Sequence, residues 1–238
     1  MLRDTSHDWK GIAAEPFYGV LSHPEWYREN LTPDKLDQFW ESGRAAVRQI
    51  LVNHKDRFGE FQPKSAIDYG CGVGRLTRAI AEQVDRAIGI DVAQGMIDEA
   101  AIWSDPDIEY RLDIPDEKVD WINSIIVFQH IHPEIGFRLL RDLLDRLNPG
   151  GGISIQLTIF KDASAFNMGS GHLQFASWDG ERLKSLVEAP HAHGTMLMYD
   201  YDLNRVLALL HEAGINRVDL EHSNHGGYHG VMMLGRKI

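Results

Sequence analysis

Residues 68–75 read DYGCGVGR, with Gly70, Gly72 and Gly74 at alternate positions. The apolar pair Ala66–Ile67 precedes this stretch, and the amphipathic run RLTRAIAEQV (75–84) continues from it. Strand, glycine turn and helix in that order make the first half of a βαβ unit. Such a turn lets backbone approach a bound nucleotide, whose charge the helix N-terminus can meet. No other feature of the chain restricts the fold as strongly.

The remaining sequence extends the same rhythm. RAIGIDV (86–92) reads as a strand and QGMIDEAAIW (94–103) as a helix. IEYRLD (108–113) and VDWINSIIVFQ (119–129) read as two further strands. PEIGFRLLRDLLDRL (133–147) is a long amphipathic helix, closed by Asn148, Pro149 and three glycines, and GISIQLTIF (152–160) is a fifth strand. After a helix over 201–214, NRVDLEHS and GYHGVMMLGRK pair as a closing antiparallel hairpin. Alternation of this kind predicts an α/β fold, a doubly wound and mainly parallel seven-stranded sheet of Rossmann-like type. Ahead of it, residues 1–62 predict an aromatic arm and one helix starting at Pro33 behind a Thr32 cap, contributing to a cap over a domain of residues 63–238. Residues 161–199, rich in Gly, Ser, His and Met, form a long insertion beyond the fifth strand, at the sheet edge where open α/β folds bind ligands.

What the loop holds follows by elimination. A phosphate loop requires GxxxxGK[ST], and the glycine loop carries no such Lys–Ser/Thr pair. The dinucleotide fingerprint GxGxxG fails at its third glycine, which is Arg75 counting from Gly70 and Thr77 counting from Gly72. There remain two acids, Asp68 ending one strand and Asp91 ending the next. Asp91 is placed to accept from ribose hydroxyls. Asp68 would repel a pyrophosphate but suits a nucleoside without phosphate and with a cationic part. S-adenosylmethionine, with its sulfonium and ammonium groups, has both properties.

DYGCGVGR, GIDVAQGMID, RLDIPDEKVDWI, FQHI and LNPGGGISIQL, in this order over about residues 64–160, resemble the class I S-adenosylmethionine-dependent methyltransferases, and most closely their small-molecule branch. The resemblance implies that Asp68 bonds to the methionine ammonium, directly or through water. It implies that Gly70, Gly72 and Gly74 pass close to the methionine and ribose, and that Arg75 pairs with the methionine carboxylate. Asp91 would take the ribose hydroxyls, with Val92 and Met96 along the adenine. Asp113 would accept from the adenine amino group between Leu112 and Ile114, and Phe128 and Gln129 would flank the reactive methyl. Arg75 as an exposed helix residue and Asp113 as a surface turn residue are the plainer alternatives. Cys71 reads as a packing residue of the loop.

Methyl transfer needs alignment, and for a neutral hydroxyl also a group that receives its proton. His130, directly after Phe128–Gln129, is the candidate catalytic residue, as base or as acceptor-orienting group; packing beneath the arm is its alternative. Phe17, Tyr18, Trp26, Tyr27, Phe39 and Trp40, with Phe166, Met168, Phe175, Trp178, Met196 and Met198 of the insertion, are expected to line the acceptor pocket. His172, His191 and His193 lie in or beside the same insertion. His222, His225 and His229 are spaced as HxxHxxxH in the hairpin, without carboxylates at ligand spacing, and no metal is expected.

Bulk properties narrow the partners. A net charge of −11 without a Lys/Arg cluster argues against nucleic acid as substrate. No stretch approaches the roughly 18 apolar residues of a membrane span, and MLRDTSHDWKG lacks a signal-peptide core, so a cytoplasmic protein is expected. The expected reaction is transfer of a methyl group to oxygen, less readily nitrogen, of a small molecule. A non-catalytic regulator or scaffold that binds the cofactor or S-adenosylhomocysteine is the rival reading. Nothing in the sequence fixes the number of subunits.

Overall fold

The computed structural model describes residues 6–162 and 198–238, together with the backbone of two short strands at 176–178 and 183–185. The chain opens with two short helices, α1 (Ser6–Ile12) and α2 (Pro16–Leu21), where the sequence predicts an irregular arm. α3 (Pro33–Phe58) starts as its residues dictate: Thr32 Oγ1 accepts from Lys35 N at 3.3 Å, with Pro33 in the first turn and Asp34 behind it. It ends at Gly59, whose φ of +84° an L side chain rarely adopts.

β1 (Ser65–Tyr69), α4 (Arg75–Ala81), β2 (Arg86–Ile90), α5 (Gln94–Trp103), β3 (Glu109–Arg111), β4 (Val119–Ser124), α6 (Pro133–Asp145) and β5 (Leu147–Lys161) follow in alternation. The short strands β6 (Ala176–Trp178) and β7 (Leu183–Ser185) pair with each other. α7 (Leu203–Glu212), β8 (Val218–His225) and β9 (Tyr228–Arg236) complete the described chain. The main sheet has seven strands in the order β3-β2-β1-β4-β5-β9-β8, parallel from β3 to β5, with β9 and β8 antiparallel at the far edge. The α/β class and the doubly wound seven-stranded topology are those expected from the sequence. Among the described residues, no helix is long and apolar enough to cross a membrane.

Both sheet faces are covered, so the strands alternate between two cores. Ile67, Ile88, Ile122 and Ile153 face a cluster with α6 and α7. Ala66, Ala87 and Trp121 face α3 and α4. α3 meets α4 at Gly43, where a Cβ would lie 2.2 Å from the Arg75 carbonyl oxygen. The start of α4, and with it the end of the glycine loop, is thereby fixed from behind. Strand order reverses between β1 and β4: the chain winds outward through β2 and β3, then returns to β4 on the other side of β1. That reversal opens a crevice at the carboxyl ends of the strands.

One boundary differs from the sequence reading. The fourth strand stops at Ser124, not near 129. Ile125 still packs behind the sheet, but Ile126 takes φ +62°, and a 3₁₀ turn spans Phe128–His130. The apolar run of this segment satisfies a turn between two cores, which period-two counting cannot separate from a strand.

Candidate active site

Over the crevice lies a cleft of about 210 Å³. Its floor at one end is the glycine loop. Gly70 has φ +74°, and a Cβ there would meet Val127 Cγ2 at 2.3 Å; Gly72 has φ +53°, and a Cβ would meet Val20 Cγ2 at 2.7 Å. Only glycine lets this loop lie between the β4 turn below and α2 above. Gly74 points elsewhere: it precedes α4 and closes against the Tyr110 hydroxyl, which bonds Ser104 Oγ at 2.7 Å.

Asp68 is buried at the end of β1. Thr77 Oγ1 donates to its Oδ2 at 2.6 Å and Asn123 Nδ2 to its Oδ1 at 2.8 Å. Burial pushes its pKa up, opposed by these two bonds and by the Arg75 guanidinium. Asp91 accepts backbone N–H bonds from Gly72 on one oxygen and Ala93 on the other, both at 3.0 Å. Its pKa is also raised by burial, against the pull of those donors. A carboxylate offers about four lone-pair positions, so each acid retains acceptor capacity toward the cleft. Cys71 is buried in the loop and its thiol pushed up by burial, which suits a packing role.

Arg75 opens α4 and lines the cleft. Its Nη1 donates to Ser42 Oγ at 3.2 Å, while Nε is buried with no hydrogen-bond partner. A buried guanidinium N–H without an acceptor is costly, and a ligand carboxylate would satisfy it.

The other end of the cleft is apolar. Ile126, Val127, Ile131, Ile135 and Leu139 line it from the β4 turn and α6. His130 joins them, buried, with its ring edge-on to Trp9 at 5.0 Å. Thr158 Oγ1 donates to Gln129 Oε1 at 3.0 Å, which turns the Gln129 amide nitrogen toward His130 Nε2 at 3.3 Å. A neutral His130 ring therefore accepts at Nε2 and carries its proton on Nδ1. The roof is α1 and α2, through Ser6, Trp9, Gly19 and Val20. Arg28, just past these helices, clamps them to α5 by an ion pair with Glu99 at 2.5 Å.

Of the residues singled out in the sequence, the cleft brings together Asp68, Gly70, Gly72, Arg75, Asp91, Val92, Met96 and His130. It does not include Gly74, Leu112, Asp113, Ile114, Phe128 or Gln129. Leu112 is exposed at the end of β3, Asp113 pairs with Arg111 at 3.2 Å on the surface, and Ile114 packs on the core. Phe128 is fully buried against Tyr201, 5.9 Å between ring centres, because the strand ends four residues before it. The aromatic arm also departs from expectation. Phe17, Phe39 and Trp40 are buried in a core of their own, and Tyr18 stacks on Tyr27 at 4.5 Å. Trp9 is the arm aromatic on the cleft, and nothing in its sequence context distinguished it. Asn123 was legible in principle, as a polar side chain inside an apolar strand. Met198 is half-buried; Phe166, Met168, Phe175, Met196, His172, His191 and His193 lie outside the described residues, as does the side chain of Trp178.

In the hairpin, His222 and His229 bond to each other at 3.0 Å and His229 to Asp162 at 2.9 Å, while His225 turns to Gln156 at 3.2 Å. His229 thus spends both ring nitrogens on neighbours, and His222 and His225 each use Nε2. No group of three or more metal-ligating side chains converges among the described residues.

Residues 66–151 match the family described as "Methyltransferase domain". Over those residues the chain is similar to methyltransferase domains. An uncharacterized methyltransferase of Geobacillus sp. (strain WCH70) is 24% identical over 143 residues, covering 56% of this chain and 67% of the relative. The chain spans 61–67% of the length of the curated relatives it matches. Among solved structures, magnesium protoporphyrin IX methyltransferase from Synechocystis PCC 6803 with bound S-adenosylhomocysteine superposes with TM-score 0.59. Identity is 14%, covering 96% of this chain and all of that one. The 1,6-didemethyltoxoflavin N1-methyltransferase of Burkholderia thailandensis, holding its named ligand and S-adenosylhomocysteine, gives TM-score 0.58 at 17% identity. That match covers 100% of this chain and 92% of the other. At such identities the likeness is one of fold. The matched segment contains β1 to β4 and α6, and so supplies both the polar floor and the apolar wall of the cleft.

Proposed function

We propose that the protein transfers a methyl group from S-adenosylmethionine to an oxygen of a small-molecule acceptor, with nitrogen as the second choice. The observation that carries the reading is a single cleft with Asp68, Gly72, Arg75 and Asp91 at one end and His130 at the other. These residues fit the donor. Arg75 offers an unsatisfied buried N–H to its carboxylate, Asp68 an anionic acceptor to its ammonium, and Asp91 an acceptor to its ribose hydroxyls. Gly70 and Gly72 leave the space that side chains would fill. When bound, the donor supplies an activated methyl on sulfur, so in-line attack by a hydroxyl leaves S-adenosylhomocysteine and a proton.

The protein's part is to align and to handle that proton. His130 is the titratable side chain of the described acceptor end, and Gln129, held by Thr158, sets its tautomer. Proton uptake at Nε2 requires the Gln129 contact to open; with it closed, His130 orients the acceptor. A neutral amine already carries a nucleophilic lone pair and can release its proton after transfer, whereas a hydroxyl gains from losing its proton during attack, which is why a histidine at this place favours oxygen.

Calorimetry with S-adenosylhomocysteine tests the donor half. Binding in the micromolar range is expected, and a folded sample without it would sink the reading. His130→Gln tests the oxygen half: kcat should fall about 100-fold with an oxygen acceptor, with affinity for S-adenosylhomocysteine unchanged. Equal kcat in wild type and variant would move the assignment to nitrogen.

A further inference from the structure

The acceptor end of the cleft has a chemical character that the reaction class does not dictate. Ile135 and Leu139, four residues apart on α6, form one stripe, and Ile131, in the extended segment just before the helix, continues it along the cleft. All three are half-buried, whereas Phe137, Leu140, Leu143 and Leu144 on the neighbouring side of the helix are buried in the core. The stripe faces the cleft opposite Trp9 of α1. Ile126 adds to it in a costly way. A β-branched residue at φ +62° is a backbone outlier, and a glycine there would relieve the strain. The chain instead keeps a large apolar side chain, 39% exposed, on the cleft wall. Among the described residues no Lys, Arg, Asp or Glu lines this end.

Resting on the proposed methyltransferase activity, we infer that the acceptor is an uncharged, apolar small molecule. It lies against Trp9 and the Ile131–Ile135–Leu139 stripe, with its nucleophilic atom toward His130. Two features identify this occupant. The apolar wall runs without a break into the donor end at Val127, which touches the glycine loop at Gly70. A molecule on the stripe therefore abuts the donor. Second, a phosphate, sulfate or polyamine on this wall would be desolvated with no opposite charge among the described residues to meet it. An apolar body gains from burial against four aliphatic side chains and an indole.

The test uses the whole protein saturated with S-adenosylhomocysteine, and two probes of one shape, 2-naphthol and 2-naphthyl phosphate, titrated by calorimetry. Saturable binding of 2-naphthol, at least 10-fold tighter than its phosphate, is expected. Ile135→Glu should weaken 2-naphthol at least 10-fold, and Ile135→Ala about 3-fold. S-adenosylhomocysteine should bind both variants within 2-fold of wild type, which also certifies that they are folded. Equal or tighter binding of the phosphate would overturn the inference, as would 2-naphthol affinity indifferent to Ile135. Both results leave the donor reading standing. Absence of S-adenosylhomocysteine binding removes the donor reading, and this inference with it.

Discussion

The two ends of the cleft are built on opposite principles. At the donor end the charged side chains are buried or half-buried, and both acids are held in place: Asp68 by Thr77 and Asn123, Asp91 by two backbone donors. At the acceptor end the wall is aliphatic, and its polar group, His130, is positioned by Gln129 and Thr158 behind it. Directional bonds suit a ligand whose polar groups sit at fixed places. An apolar wall recognises shape and area, and it tolerates substitution. The donor end should therefore fail sharply when altered and the acceptor end gradually.

The sharpest failure is expected at Gly70. Gly70→Ala adds left-handed strain and drives a methyl to within 2.3 Å of Val127, the residue that joins the two ends. A loss of about 3–4 kcal/mol follows from strain and overpacking together, with no measurable affinity for S-adenosylhomocysteine. Urea unfolding and calorimetry read both. A variant as stable as wild type would mean that the loop moves as a unit and that the contrast is overdrawn.

Acid affects both ends alike, and its origin is behind the sheet. His54 of α3 is fully buried, bonded to Ser154 Oγ at 3.1 Å, and burial lowers its pKa from 6.5 to about 4. Because the folded state resists protonation, the unfolded chain binds the extra proton between those values. Stability is complete above pH 6.5 and falls as pH drops toward 4, by about 3 kcal/mol. His54→Leu should flatten that slope in denaturant titrations at several pH values; an unchanged slope would assign it to other groups. Ligand binding is best compared between the two ends above this window.

Asp91→Ala comes next. Removing the carboxylate frees the Gly72 and Ala93 donors and deletes a ribose partner, worth about 2 kcal/mol or roughly 30-fold in affinity for S-adenosylhomocysteine. On protein saturated with that ligand, 2-naphthol should bind as to wild type. Loss of both affinities together would show that the ends are coupled and not independent.

The same contrast explains what the sequence made legible. The donor end is written in a short local pattern, because a strand end, three glycines and two acids fix a loop with little help from elsewhere. The sequence alone therefore groups Asp68, Gly70, Gly72, Arg75 and Asp91, and all five line the cleft. The acceptor end is assembled from segments far apart in the chain. Trp9 of α1 reaches His130 while packing against the arm's own core, in which Phe17 of α2 is buried. Ile135 and Leu139 read as ordinary members of an amphipathic helix, since partial exposure leaves no mark in a hydrophobic pattern. Phe128 was misplaced because IIVF satisfies a strand and a turn between two cores equally well. Leu112 and Asp113 were placed by resemblance, and the surface pair Arg111–Asp113 was not legible from spacing.

The mildest and most diagnostic change is Ile126→Gly. Left-handed strain in a non-glycine residue amounts to about 1–2 kcal/mol, whereas glycine loses about 0.5–1 kcal/mol through added freedom in the unfolded chain. About 1 kcal/mol of burial is also forfeited, since the side chain is 39% exposed on the cleft and otherwise covered. The variant should stay within about 1 kcal/mol of wild type in urea unfolding, while 2-naphthol binding weakens about 3-fold. A destabilisation of 2 kcal/mol or more would make Ile126 a core residue, and its strain an accident of packing. Stability kept with affinity lost would mean that the backbone holds this side chain in an unfavourable conformation for the ligand's sake. An apolar wall would then carry one rigid point, next to the place where the methyl group changes hands.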